Sequence, residues 1–335
     1  MNIYKLLKLN RSIKNHRIKF FALFLLHKFN KRYLSVNIDP ILACNLRCKM
    51  CYFSDNDYVK SLKGKGQFKK EEIERVAKTI FSRALKLQIG CGTEPTVYKN
   101  LSDVVALGKK YKVPYISITT NANLLDEEKI EELLKAGLNE FTISLHGVNK
   151  ESYENFMKKG NYEKFKNAFR AFEKLKAKYD FKVRINYTFN KDNFLELKDF
   201  FKQFNGKSFD ILQIRPIRKI GNSEYNDFDL EPIQENYYSI IQEIKRNCKE
   251  NSITLLASDV LLKKDLVDDT SFIANYTYCY VSPEKFWKEG FNWKEESFEE
   301  FSRRIGWSKR LFLNVFMSKD KLQSTPNHLN YDIKI

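Results

Sequence analysis

Three cysteines within eight residues constrain this chain more than any other feature. They read Cys44-Asn-Leu-Arg-Cys48-Lys-Met-Cys51, a C-x3-C-x2-C spacing. Thiolates this close in sequence can wrap one compact metal centre, but the loop holds no fourth ligand. A structural zinc site would close with a fourth Cys or His at short spacing, and Tyr52 to Gly90 contains neither. A disulfide would leave an odd thiol. A four-iron cluster normally takes four Cys ligands, so three would leave one iron open to another partner. The spacing alone leaves two readings without turnover, an iron–sulfur electron carrier and a zinc-binding module.

The pattern around the triplet predicts an α/β fold. Strand-like runs fall at Val36 to Ile41, Leu85 to Ile89, Tyr115 to Thr120, Phe141 to Leu145, Lys182 to Phe189 and Ile211 to Ile214. Between them lie helical spacings such as Ile73, Val76, Ala77, Ile80, Phe81 and Ala84, and Asp126 and Gly137 bracket another helix as cap and stop. Repeated βα units with right-handed crossovers give a parallel sheet, here a partial (β/α)6 TIM-like barrel. The cysteine loop then follows the first strand, at the carboxyl end where such folds carry their sites. Three regions are expected: a basic amphipathic N-terminal arm over 1–35, the barrel over 36–256, and an aromatic-rich extension over 257–335 covering the barrel. The extension holds Trp287, Trp293 and Trp307, for which core packing is the favoured role.

Charge narrows the function. Residues 1 to 36 contain nine basic residues, from Lys5 to Arg32, and no acid, so the arm supplies more than half of the net +17. The remainder is only mildly basic, which argues against nucleic acid as the partner and ranks RNA modification low. Phe20 to Leu26 is too short an apolar run to span a bilayer and lacks a signal-peptide cleavage pattern, so a cytoplasmic protein is expected. Basic residues around Phe20, Phe21, Leu23 and Phe24 suit peripheral contact with an anionic membrane; the alternative is a helix packed on its own domain. His16, His27 and His328 are expected at the surface. No Ser or Cys triad and no phosphate loop is visible.

With these positions in place, the chain resembles the radical S-adenosylmethionine superfamily, nearest its peptide-modifying and sulfatase-maturing branch. The triplet with Tyr52-Phe53 carries the resemblance, with Met50 where an aromatic is usual. Gly92-Thr93-Glu94-Pro95 after strand two resembles the Gly-Gly-Glu-Pro motif that holds the amino group of S-adenosylmethionine. Thr119-Thr120-Asn121 ends strand three like Thr-Asn-Gly, with Ala122 in the glycine position, and Ser144-Leu145-His146-Gly147 ends strand four like Ser-Leu-Asp-Gly. Lys158 stands near where many relatives place a carboxylate-pairing arginine, and Arg215-Pro216 ends strand six.

The resemblance implies a [4Fe–4S] cluster on Cys44, Cys48 and Cys51, with S-adenosylmethionine held by Met50, Gly92, Thr93, Glu94, Asn121, Ser144, Lys158 and Arg215. It implies reductive cleavage of that cofactor to a 5′-deoxyadenosyl radical that abstracts a substrate hydrogen. A flavodoxin or ferredoxin would supply the electron, and a peptide, carbohydrate or envelope precursor would be the substrate. Cys248 and Cys279 are too few for an auxiliary cluster, so one cluster is expected. Burial is the expected role of both, and Cys91 is expected to pack beneath the cofactor motif.

Overall fold

The computed structural model describes residues 9–10, 12–62, 66–219, 221–261, 270–322 and 325–326; His328, Lys5 and the outer ends of both terminal regions lie outside the described residues. Strands β1 (Leu34–Ile38), β2 (Ala84–Ile89), β3 (Ile116–Thr120), β4 (Glu140–Leu145), β5 (Lys182–Phe189), β6 (Ile211–Pro216) and β7 (Thr254–Leu256) follow one another along the chain. After the short β8 (Thr270–Ser271) comes β9 (Tyr278–Val281). The main sheet has eight strands in the order β7-β6-β5-β4-β3-β2-β1-β9, with every neighbouring pair parallel. β8 pairs separately and antiparallel with β10 (Thr325–Pro326). The principal helices are α1 (His16–Lys28), α2 (Lys70–Ile80), α3 (Leu101–Lys110), α4 (Glu127–Ala136), α5 (Tyr162–Leu175), α6 (Gln234–Glu250), α7 (Phe298–Arg304) and α8 (Trp307–Asn314). Parallel neighbours need crossover connections, and α2 to α5 are those crossovers.

Six strands are where the sequence pattern puts them, with small differences at the ends. β1 stops at Ile38 rather than Ile41, because Pro40 has no N–H for a ladder. Two strands of the main sheet were not anticipated. β7 is short, and β9 comes from the extension expected only to cover the barrel; it pairs with β1 from Ser35↔Tyr278 to Ile38↔Val281. The partial barrel therefore has eight strands, with β7 and β9 as its edges.

The register explains which way the strands face. Leu34, Val36 and Ile38, Leu87 and Ile89, Ile116 and Ile118, Phe141 and Ile143, and Val183, Ile185 and Tyr187 are all buried against the helical layer. The alternate positions are polar on every one of these strands. In register across the sheet they run Asn37↔Gln88↔Ser117↔Glu140, then Thr119↔Thr142↔Arg184, then Ser144↔Asn186↔Gln213. Period-two alternation thus separates an apolar outer face from a polar lumen.

The arm is part of this body. α1 is capped by Asn15, whose side chain accepts from the Arg17 N–H at 2.9 Å. Phe20, Leu23 and His27 share one helical stripe and are buried. His27, expected at the surface, lies on that stripe; its Nδ1 meets the Tyr33 hydroxyl and the Arg83 guanidinium, each at 3.0 Å. Burial, and then the Arg83 charge, depress its pKa to about 4. Arg32, counted among the arm's charges, instead donates to the carbonyls of Phe81, Ala84 and Tyr111. Trp287 and Trp307 pack with Phe298 in the core, as their composition suggested. Among the described residues no helix is long and apolar enough to cross a membrane.

Phe20→Ala should therefore lower stability by about 3 kcal/mol, whereas Phe21→Ala, one residue on and exposed, should change it by less than about 0.5 kcal/mol. Urea midpoints with unchanged slopes would show the contrast; equal effects would contradict the stripe.

Candidate functional site

The carboxyl ends of β1 to β6 carry the polar residues singled out in the sequence. The cysteine loop is laced to its surroundings through its backbone. The N–H groups of Arg47 and Lys49 donate to the carbonyls of Lys158 and Phe156, each at 2.9 Å, and the carbonyl of Lys49 accepts from Tyr225 at 2.8 Å. The Ala43 carbonyl accepts from the Glu94 N–H at 2.9 Å. The Arg47 guanidinium folds back on the carbonyls of Cys44 and Leu46 at 2.9 and 2.7 Å, placing a positive charge among the thiols. Burial pushes all three thiols up, Cys44 to about 12. Among the described residues no three His, Cys, Asp or Glu side chains converge on one metal-ion position.

Glu94 is buried and immobilised by four hydrogen bonds. Its carboxylate accepts from the Thr96 N–H and hydroxyl at 3.1 and 2.6 Å, the Thr120 hydroxyl at 2.7 Å and the Asn121 N–H at 2.8 Å. Burial raises its pKa against those bonds. The Asn121 amide reaches the Asn45 side chain at 2.8 Å, so the loops after β1, β2 and β3 are joined. Ala122 adopts φ 61°, the left-handed region, at the position where the resemblance favours glycine.

A second carboxylate escaped sequence reasoning. Asp39, directly after β1, accepts from the N–H groups of Cys91 and Gly92, the Thr93 hydroxyl at 3.0 Å and the Tyr280 hydroxyl at 2.8 Å. It fixes the Gly92-Thr93 turn and ties β9 to the site. The only signal for it was an acid at the end of a strand. Gly92 has no room for a side chain: a Cβ there would lie 2.5 Å from the Tyr52 hydroxyl, which itself donates to the Gly92 carbonyl.

The other expected residues divide by position. Met50 is buried with Phe156 and Ile217, and its sulfur accepts from Asn190 at 3.2 Å. Ser144 sits half-buried on β4. Arg215 lies beside His146, its Nε donating to Thr188 at 3.3 Å. Burial and the Arg215 charge depress His146 to about 4, leaving a neutral imidazole at the end of β4. Lys158 approaches the cysteine loop only through its backbone; its ammonium pairs on the surface with both oxygens of Glu224, at 2.6 and 2.8 Å. Cys248 and Cys279 are buried, and Cys279 points to the apolar side while its neighbours Tyr278 and Tyr280 take the other face. Cys91 does not pack beneath the motif: it is exposed. Asn190 and Asn193, fully buried after β5, were also missed; Asn193 holds the carbonyls of His146 and Thr188.

A family model of the radical SAM superfamily matches residues 38–203, which include the cysteine loop and the ends of β2 to β5. The chain belongs to the radical SAM superfamily. It is an enzyme of that family, whose cofactors are a [4Fe–4S] cluster and S-adenosylmethionine. The chain is 28% identical over 228 residues to the probable GTP 3′,8-cyclase of Pyrococcus abyssi, covering 66% of this chain and 71% of that protein. In fold it is similar to SuiB of Streptococcus suis. With S-adenosylmethionine bound, SuiB gives a TM-score of 0.58 at 16% identity, covering 88% of this chain and 71% of that one. With its precursor peptide SuiA bound, the TM-score is 0.56 at 17% identity, covering 95% and 73%. It is also similar to anSMEcpe with bound AdoMet, with a TM-score of 0.51 at 21% identity, covering 66% and 63%.

Asp39→Asn should weaken S-adenosylmethionine binding at least about tenfold without altering iron content, because it removes charged acceptors from two N–H groups and two hydroxyls. Anaerobic equilibrium dialysis beside iron analysis reads both. Ala122→Gly should raise stability by up to about 1 kcal/mol by relieving the left-handed alanine; an unchanged urea midpoint would show that the loop carries no strain.

Proposed function

We propose that Cys44, Cys48 and Cys51 hold the cluster and that Gly92, Thr93, Glu94, Asn121, Ser144 and Met50 seat S-adenosylmethionine beside it. The observation that carries this reading is the convergence of three sequence motifs on one mouth through Glu94, whose carboxylate joins the ends of β2 and β3 and whose N–H joins the cysteine loop. The donor set fits the group. A single zinc needs every thiolate at about 2.3 Å from one point, whereas thiolates on a cubane each meet a different iron. Three thiols on one loop with no fourth Cys or His beside them suit a cluster with one open iron better than a closed zinc site. When bound, the cluster and S-adenosylmethionine supply a 5′-deoxyadenosyl radical that abstracts a substrate hydrogen.

The protein's own residues orient and enclose. Glu94, already rigid, presents an acceptor for the cofactor's amino group, and the bare Gly92 backbone allows close approach. Arg47 places a fixed cation beside the thiolates. Lys158 would have to leave Glu224 to reach a carboxylate, so Arg215, beside His146, is the better-placed cation. A flavodoxin or ferredoxin is the proposed electron donor.

The lumen points to a polar substrate. Ser117 Oγ and Asn186 Oδ1 are buried there without partners. Lys86 donates to the Gln88 side-chain oxygen at 2.9 Å and lies near Glu140, which is itself paired with Arg184 at 2.7 Å. Among the substrate classes implied by sequence, a peptide is favoured: its amides suit such a lining, an acidic group suits Lys86, and SuiB binds a precursor peptide in a similar fold.

Anaerobic reconstitution tests the core of this. The protein should bind about four irons, lose them in Cys44→Ala, Cys48→Ala or Cys51→Ala, keep them in Cys91→Ala and Cys248→Ala, and form 5′-deoxyadenosine under dithionite. Iron binding without cleavage would overturn the enzymatic assignment of these residues. Lys86→Gln should leave substrate-free cleavage within about twofold but weaken acidic-peptide binding at least about tenfold, as loss of a buried charged contact requires.

A further inference from the structure

Away from the mouth, α1 carries a second pattern on the surface opposite its buried side. Its buried stripe is Phe20, Leu23 and His27; on the adjoining stripe, at helical spacing, Arg17, Phe21 and Lys28 are exposed and Phe24 is half-buried. Phe24 lies 5.2 Å from Phe312 of α8, Phe21 lies 6.5 Å from Phe24, and Phe312 lies 5.3 Å from Phe316. Four rings from opposite ends of the chain thus form one continuous surface line. Phe21, Phe312 and Phe316 are 46%, 41% and 66% exposed, and Ile18 and Leu313 extend the patch.

Along the two helices themselves the charge has one sign. The chain has no acid before Asp39 and none between Glu300 and Asp320. Lys14, Arg17, Lys28 and Lys309, on or next to the two helices in sequence, are exposed. Lys309, Phe312, Leu313 and Phe316 repeat at helical spacing, and the Lys28 ammonium sits 5.8 Å from the centre of the Phe24 ring. Aromatics that can enter the headgroup boundary, flanked by long cationic side chains that can lie along them and reach outward, are what an anionic bilayer surface attracts. A protein groove would have to be acidic and apolar at once. A second copy would bring like charge against like charge.

We propose that α1 and α8 together form a docking face for an anionic lipid surface, holding the enzyme peripherally. The face is composite: the arm supplies half of it, and the C-terminal helix supplies Phe312 and Phe316. α1 joins β1 at the end opposite the cysteine loop. The proposal is independent of the cluster assignment, since its readouts need no turnover.

The test is co-sedimentation of the full chain with phosphatidylcholine vesicles, with and without phosphatidylglycerol. Binding is expected to the anionic vesicles, at least about tenfold over the neutral ones, and to fall with salt. Phe21→Ser, Phe312→Ser and Phe316→Ser combined, all exposed positions, should reduce it at least about tenfold with circular dichroism and iron content unchanged. Lys14→Glu, Arg17→Glu and Lys309→Glu combined should abolish the preference for phosphatidylglycerol. Equal binding to both vesicle types, full binding by the phenylalanine variant, or a wild-type dimer in sedimentation velocity that the phenylalanine variant dissolves would each overturn the proposal, the last in favour of a second copy.

Discussion

The Glu94 carboxylate is the knot on which the mouth of this barrel depends. Burying a carboxylate is expensive unless its oxygens are met, and here the partners come from its own loop and from the end of β3. The same residue's N–H takes the Ala43 carbonyl just before the first cysteine. One side chain therefore sets the relative positions of segments whose geometry the parallel sheet alone would leave loose. Asp39 does the same on the other flank, binding the turn after β2 and reaching β9 through Tyr280. Between them, the two acids turn a row of strand ends into a site.

Much of this was legible because the informative residues lie at strand ends and the strands alternate strictly. Val183, Ile185, Tyr187 and Phe189 gave β5 its full length, and the cysteine spacing gave the chemistry its place. What stayed hidden was long-range. Nothing local marks Tyr278 to Val281 as a strand of the main sheet; four residues become one only because β1 offers an unpaired edge in parallel register. Asp39 is equally silent, since its partners are 52 to 241 residues away. His27 was misplaced for a related reason. A histidine in a basic arm reads as solvent-exposed until the helix phase, fixed by Phe20 and Leu23, turns it toward Arg83.

The arm shows how one helix can serve two faces. Arg83, almost fully buried, sits 5.4 Å from the Tyr33 ring and 5.9 Å from the Phe298 ring while bonding His27, so it joins the N-terminal and C-terminal segments through the core. That joint sets the phase of α1 and brings α8 alongside. The arm is consequently neither a tail nor a separate module. Its inner stripe contributes stability, which leaves the outer stripe free to be selected for something else.

The lumen closes the argument about function. Barrel interiors in enzymes of this architecture are commonly filled by layers of branched apolar side chains; here the inward positions are Asn37, Gln88, Ser117, Thr142, Asn186 and Gln213, with Lys86, Arg184 and Glu140 among them. Polar groups held this deep must be paired. Gln88 with Thr119, and Arg184 with Gln213 and Glu140, are paired internally, while Ser117 and Asn186 are not. A lining so composed contributes little as apolar packing; on the proposed reading its unmet oxygens are what a polar substrate would satisfy.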